Sequence, residues 1–163
     1  MTQPAKNGEL IKVPNTLRIK IGGRMAKVDK EAVAKAEAAL ASLSSNFDDW
    51  IATEVAKLET AHKRVSSGKL CGPEGRELFN AAHDLKGLGT TYGFPIVTEM
   101  AASLCDITLN QNIREKAPIA LINAHVNAIR AAVTGGIKTI DHPIGGTLSI
   151  ELKKKSTEFL DTL

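Results

Sequence analysis

The chain has 163 residues, with 24% charged, 4% aromatic and a formal charge of +3. That length holds one well-cored domain and is short for two. The mild charge, with no basic block interleaved with aromatics, argues against a nucleic-acid partner. No apolar run reaches the length of a membrane span or a secretory signal, so no membrane association is expected. Cys71 and Cys105 stand far apart without metal-ligand spacing, and the expected compartment is the cytoplasm.

In chain order, Met1 to Gly8 is polar. Leu10 to Val13 and Leu17 to Ile21 then flank Pro14-Asn15-Thr16, with Leu17, Ile19 and Ile21 alternating with Arg18 and Lys20. This predicts a small β-hairpin closed by Gly22-Gly23, inside an N-terminal tail of residues 1–28. Two strands alone are marginal in water, so the hairpin would lie against the bundle or a partner. From Asp29 the period becomes helical, with Asp29 as N-cap and Lys30 to Leu43 rich in Ala and Glu. Ser44-Ser45-Asn46 is a break or a second cap, with Asp49 three residues after Asn46 in the manner of a capping box. The next, Phe47 to Val65, sets Phe47, Trp50, Ile51, Glu54, Leu58, His62 and Val65 at or near one side, which makes Trp50 a core anchor and His62 structural. Ser66-Ser67-Gly68 stops it.

Gly72-Pro73 opens the following helix, since Pro is tolerated at the first helical position, and Gly93 is suited to end it in a left-handed cap. Pro95 starts another, with Val97, Met100, Ala101, Leu104 and Ile107 at helical spacing and Cys105 on the flank as a packed thiol. Pro118 starts the next, with Ile119, Ile122, Val126, Ile129 and Val133 on one stripe and Gly135-Gly136 at its end. His125 beside that stripe is either structural or solvent-exposed. Residues 137–146 read as a linker, and Thr147 to Leu163 as a C-terminal helix with Leu148, Leu152, Phe159 and Leu163 four or seven apart. The predicted class is therefore all-α. Connections this short make sequential helices antiparallel neighbours. That yields an up-and-down four-helix bundle over residues 29–136 with an additional N-terminal helix, followed by the linker and C-terminal helix of residues 137–163.

The stretch Leu78 to Phe94 carries the chemistry. On a helical wheel Leu78, Ala81, Leu85, Leu88 and Tyr92 form a core-facing stripe. His83 falls almost opposite, in line with Arg76, Phe79, Asn80, Lys86, Gly87 and Thr90. Imidazole is nucleophilic and half ionised at about pH 6.5, which suits it to carry a phosphoryl group. Lys86, one turn on, is placed to pair with phosphoryl oxygens without a metal. Gly87 costs a helix about 1 kcal/mol relative to Ala, and in return it lets another chain come close to the imidazole. A wholly structural helix has no use for Gly87 or Gly89. Phe79 is either an exposed anchor for a transient interface or half-buried against a neighbouring helix.

The run Ala82-His83-Asp84-Leu85-Lys86-Gly87, with Gly93 ten residues after the histidine, resembles the histidine phosphotransfer domain of bacterial phosphorelays. Leu78-Phe79 and Ala81-Ala82 fit the same pattern, and the resemblance spans roughly residues 45 to 135. Two departures bear on docking rather than on the phosphoacceptor. Leu88-Gly89 stands where relatives often have Ser or Ala, and Leu104-Cys105 stands where they tend to have Leu-Glu. The resemblance implies a four-helix bundle that is not itself an enzyme and holds no cofactor. His83 would accept a phosphoryl group from a receiver-domain aspartate and Lys86 would stabilise it. Arg76, Phe79, Asn80, Gly87 and Thr90 would form the binding face. The implied partners are response-regulator receiver domains, which bring their own Mg2+, and a hybrid histidine kinase, met by a monomer of this chain. The other reading is a helical adaptor that binds a receiver or kinase without phosphotransfer. An autonomous kinase is ruled out by size and by the lack of a nucleotide-binding signature.

Overall fold

Proline and glycine mark most of the helix boundaries. The computed structural model describes residues 29–44, 46–67 and 70–163, together with Thr16 and Lys20, and among these residues the regular structure is entirely helical. The elements are α1 (Lys30–Ser44), α2 (Phe47–Ser67), α3 (Pro73–Leu88), α4 (Pro95–Thr108), α5 (Gln111–Lys116), α6 (Ile119–Thr134) and α7 (Pro143–Leu160). The hairpin expected over residues 10–21 lies outside the described residues, apart from Thr16 and Lys20, whose backbone is helical.

The chain divides into two compact units, Met1–Ala39 and Leu40–Leu163, with the boundary inside α1. In the first unit Asp29 caps α1, its Oδ1 accepting from Glu31 N at 3.0 Å and from Ala32 N at 3.3 Å. Glu31 pairs with Lys35 one turn later.

In the second unit α2 packs on α3, α3 on α4, α4 on α6, and α6 back on α2; α7 lies against α4 and α6. The core between them is aliphatic. Ile51, Leu58, Leu78, Leu85, Met100, Leu104, Ile122 and Ile129 are essentially inaccessible to solvent. Each such side chain contributes roughly 1.5–3 kcal/mol on burial. One end of this unit is closely tied. Asp48 of α2 meets Lys138, which follows α6, at 3.2 Å, and Lys138 also lies over the Phe94 ring that precedes α4. Phe47 and Trp50 of α2 meet Tyr92, which follows α3, with centroids 5.7 and 5.8 Å apart.

The predicted faces need rotation in three places. Trp50 is not a core anchor: it is 41% exposed and shares a surface aromatic cluster with Phe47 and Tyr92. The buried line of α2 runs instead through Ile51, Val55, Leu58, Ala61 and Val65. On α3 the fully buried alanine is Ala82, whereas Ala81 is half-buried, because the helix is packed on two sides, by α2 and by α4. On α7 Leu148 is exposed, as is Leu163 just beyond the helix, and the buried face is Gly145, Gly146, Ser149, Leu152 and Ser156.

That small-residue face explains why part of the expected linker is helix. His142 caps α7, its Nδ1 accepting from Gly145 N at 3.1 Å, and Pro143 takes the first helical position. A Cβ on Gly146 would overlap the Ile140 carbonyl oxygen, and one on Gly145 would lie 2.6 Å from Ile137 Cγ2. The glycines permit this close first turn. The short helix α5, unforeseen in the sequence, is capped by Asn110, whose Oδ1 accepts from Ile113 N at 3.0 Å.

His125 takes the structural alternative. It is fully buried where α4, α6 and α7 meet, bonded through Nδ1 to Leu121 O at 2.8 Å and through Nε2 to Ser103 Oγ at 2.9 Å, with Ser156 Oγ at 3.3 Å. Burial holds its pKa below the usual histidine value. His62 is half-buried with Nε2 2.6 Å from Asn123 Oδ1, tying α2 to α6. Burial pushes the Cys105 thiol up to about 11, which suits a packed, unreactive group.

Candidate functional site

Helix α3 is built to present one face to water from a fixed backbone. Gly72 in extended conformation and Pro73 at the first helical position start it. Gly75, Leu78, Ala82 and Leu85 bury its inner line. Past Leu88 the chain makes one more helical turn and closes in a Schellman arrangement. Gly93 is left-handed at φ 82°, Gly93 N donates to Thr90 O at 3.1 Å, and Phe94 N donates to Gly89 O at 2.8 Å. Buried Phe94 then locks the turn against the core. The predicted role of Gly93 as a left-handed stop is met by this geometry.

His83 stands on the outward face, exposed, as do Arg76, Asn80, Lys86, Gly87 and Thr90. The imidazole makes no hydrogen bond among the described residues; its neighbour is the Phe79 ring, 5.9 Å away between centroids and tilted by 34°. Both ring nitrogens are thus available to a visiting group. Phe79 takes the half-buried alternative, packed against the core on one side and facing His83 with the other. Lys86 makes no ion pair among the described residues, which leaves its ammonium free for an anion. Its charge reaches toward α4, where it draws the Cys105 thiol pKa down against the larger effect of burial.

The two glycines differ. Among the described residues a Cβ on Gly87 would meet nothing within 4 Å, so none of them requires a glycine there. A Cβ on Gly89 would lie 2.7 Å from Thr98 Oγ1, 2.9 Å from Thr98 N and 3.0 Å from Leu85 O. Gly89 is therefore a structural necessity, and the expectation that a structural helix has no use for it is overturned. Thr98 fills the vacated space and accepts from Thr90 N at 2.9 Å, so Thr90 both borders the exposed face and fastens α3 to α4.

No family model, curated protein or solved structure matches this chain. What the face around His83 can do rests on its own chemistry. Among the described residues this face sets an unbonded imidazole, an ammonium without an ion pair one turn away and open space at Gly87 side by side. Among the described residues no three His, Cys, Asp or Glu side chains gather into a metal-holding group, and no helix is long and apolar enough to cross a membrane.

Sequence reading missed two features of this region. One is the Phe47–Trp50–Tyr92 cluster, whose only sequence signal was aromatic residues at the two ends of adjoining helices. The other is Arg114, buried on α5 near Arg76 and Asn80, which no pattern in the sequence marks.

Proposed function

We propose that this chain is a cytoplasmic phosphorelay intermediate, built on an antiparallel up-and-down four-helix bundle formed by α2, α3, α4 and α6. The observation that carries the reading is the open space at Gly87 beside an exposed and unbonded His83, on a helix whose other side is fully buried. The contacts of Asp48 with Lys138 and of Phe47 with Tyr92 support alternating helix directions, since each joins the start of one helix to the end of another.

In the proposed reaction an unprotonated ring nitrogen of His83 attacks the phosphorus of a receiver aspartyl phosphate. The N–P bond forms as the aspartyl P–O bond breaks, and the carboxylate leaves with the electron pair. Lys86 pairs with the equatorial oxygens, and the receiver's Mg2+ neutralises the rest of the charge. Reversal onto a second receiver completes the relay. Arg76, Phe79, Asn80, Gly87 and Thr90 border the contact, and a hybrid histidine kinase is the upstream source.

The test is to incubate the full chain with receivers phosphorylated by a small-molecule phosphodonor and to look for acid-labile, alkali-stable phosphate at His83. Binding of a receiver with no label at His83 would instead leave the chain as a helical adaptor.

A further inference from the structure

A buried arginine beside the His83 face has no charge partner among the described residues. Arg114 on α5 is 6% exposed. Its Nη1 donates to Thr108 O at 2.8 Å, which caps the last turn of α4. That bond accounts for one of the five guanidinium N–H groups. Its Nε is buried with no hydrogen-bond partner, and no carboxylate pairs with the side chain among the described residues. An unpaired buried charge and an orphan donor are both costly, so a purely capping role leaves this arrangement unexplained.

Arg114 lines a groove of about 350 Å3 together with Arg76, Phe79, Asn80, Asn110 and Gln111. Gln111 donates its amide N–H to Glu115 at 2.9 Å, which sets one carboxylate beside the groove. Among the described residues Arg76 also lacks a carboxylate partner, and Asn110 uses its carbonyl oxygen on Ile113 N, which leaves its amide N–H groups without a partner there. The Glu115 carboxylate and the roughly half negative charge at the C-terminus of α4 stand against two guanidinium charges. The groove is therefore positive on balance.

We propose that this groove binds a small oxyanion, a carboxylate or a phosphate, held by Arg114 Nη2 and closed by Arg76 and the Asn110 amide. Nη2 makes no hydrogen bond among the described residues and, unlike Nε, is not sealed from solvent, so its N–H groups are placed to donate to the oxygens of such a group. The site stands on these residues whether or not His83 carries phosphate. It adjoins that function through Phe79, which forms one wall of the groove and faces the His83 ring.

The experiment titrates the full chain, at constant ionic strength, with inorganic phosphate in one arm and succinate in the other. Binding is read from the Arg114 Nε–H resonance and from thermal stability. Saturable movement of that resonance with a rise in melting temperature is expected in at least one arm, and the arm that saturates at lower concentration assigns the class. Arg114→Gln should abolish saturation but removes the cap on α4. Asn110→Asp keeps the α5 cap, since Asp is as good an N-cap, while setting a negative charge at the groove. It should weaken binding by about tenfold or more with unchanged helicity. No saturation in either arm, or unchanged binding in Asn110→Asp, would overturn the site.

Discussion

The surroundings of His83 and of His125 are opposite solutions for the same side chain. His83 is exposed, unbonded and flanked by a glycine with empty space above it. His125 is fully buried with both ring nitrogens engaged, by a carbonyl one turn back and by serines from two other helices. Imidazole at the surface keeps its lone pair for chemistry. In the core it serves as a polar joint between helices, useful only while it stays neutral. Proximity to other titratable groups does not separate the two; hydrogen-bond engagement does.

The largest effect that would break this contrast is at His83. His83→Gln should abolish phosphate acceptance while leaving unfolding free energy within about 0.5 kcal/mol of the parent. Phosphotransfer assays and urea unfolding on the same preparation decide it. Label persisting at another histidine, or a mutant that unfolds, would remove His83 from its role.

The glycines sharpen the same contrast between open and filled surroundings. Gly87→Leu should match or exceed the parent in thermal stability, because helix propensity improves and nothing is displaced. It should still slow transfer by roughly a hundredfold, the expected cost of holding the reacting atoms about 1 Å too far apart. Gly89→Ala should do the reverse. Its Cβ would press on Thr98, a crowding that costs about 1–3 kcal/mol, while transfer in the remaining folded protein stays near normal. If both variants lost stability together, the open face around Gly87 would have no claim to be a docking surface. Lys86→Ala should have a smaller effect, about tenfold on transfer rate and a shorter phosphohistidine lifetime, because the ammonium supplies one charge-assisted contact from solvent.

The parts legible in the sequence are those governed by local backbone chemistry. Gly72-Pro73, Gly93, Pro95 and Gly136 mark real boundaries because a missing N–H or a positive φ is a property of the residue itself. The exposed position of His83 followed from helical spacing alone. Which residues within an apolar stripe are buried did not, because neighbouring helices decide it. Trp50 and Leu148 look like core residues and lie at the surface, whereas Ser149 and Ser156 look like surface residues and are buried, Ser156 beside His125. Helix α5 is too short to show a period, and Arg114 gains meaning only when the turn after α4 folds it back toward α3.

The most subtle difference between the two histidines is in the pH dependence of stability. Desolvation lowers the pKa of His125 in the folded chain, while in the unfolded chain the ring titrates at about 6.5. Below that value the unfolded state takes up a proton that the folded state refuses. Unfolding free energy should therefore rise with pH toward about 6.5 and then level off, with a slope of at most about 1.4 kcal/mol per pH unit from this one group. At more acid pH, once the folded ring also protonates, its share of the slope disappears. The carboxylates contribute their own dependence lower still, so the measurement is a difference. Urea unfolding between about pH 5 and pH 8 should give a steeper profile for the parent than for His125→Asn, even though that variant is less stable throughout. Identical profiles for the parent and His125→Asn would mean that the buried ring accepts its proton without cost. The serines and the Leu121 carbonyl would then be holding an imidazolium as readily as an imidazole, and the contrast with His83 would lose its physical basis.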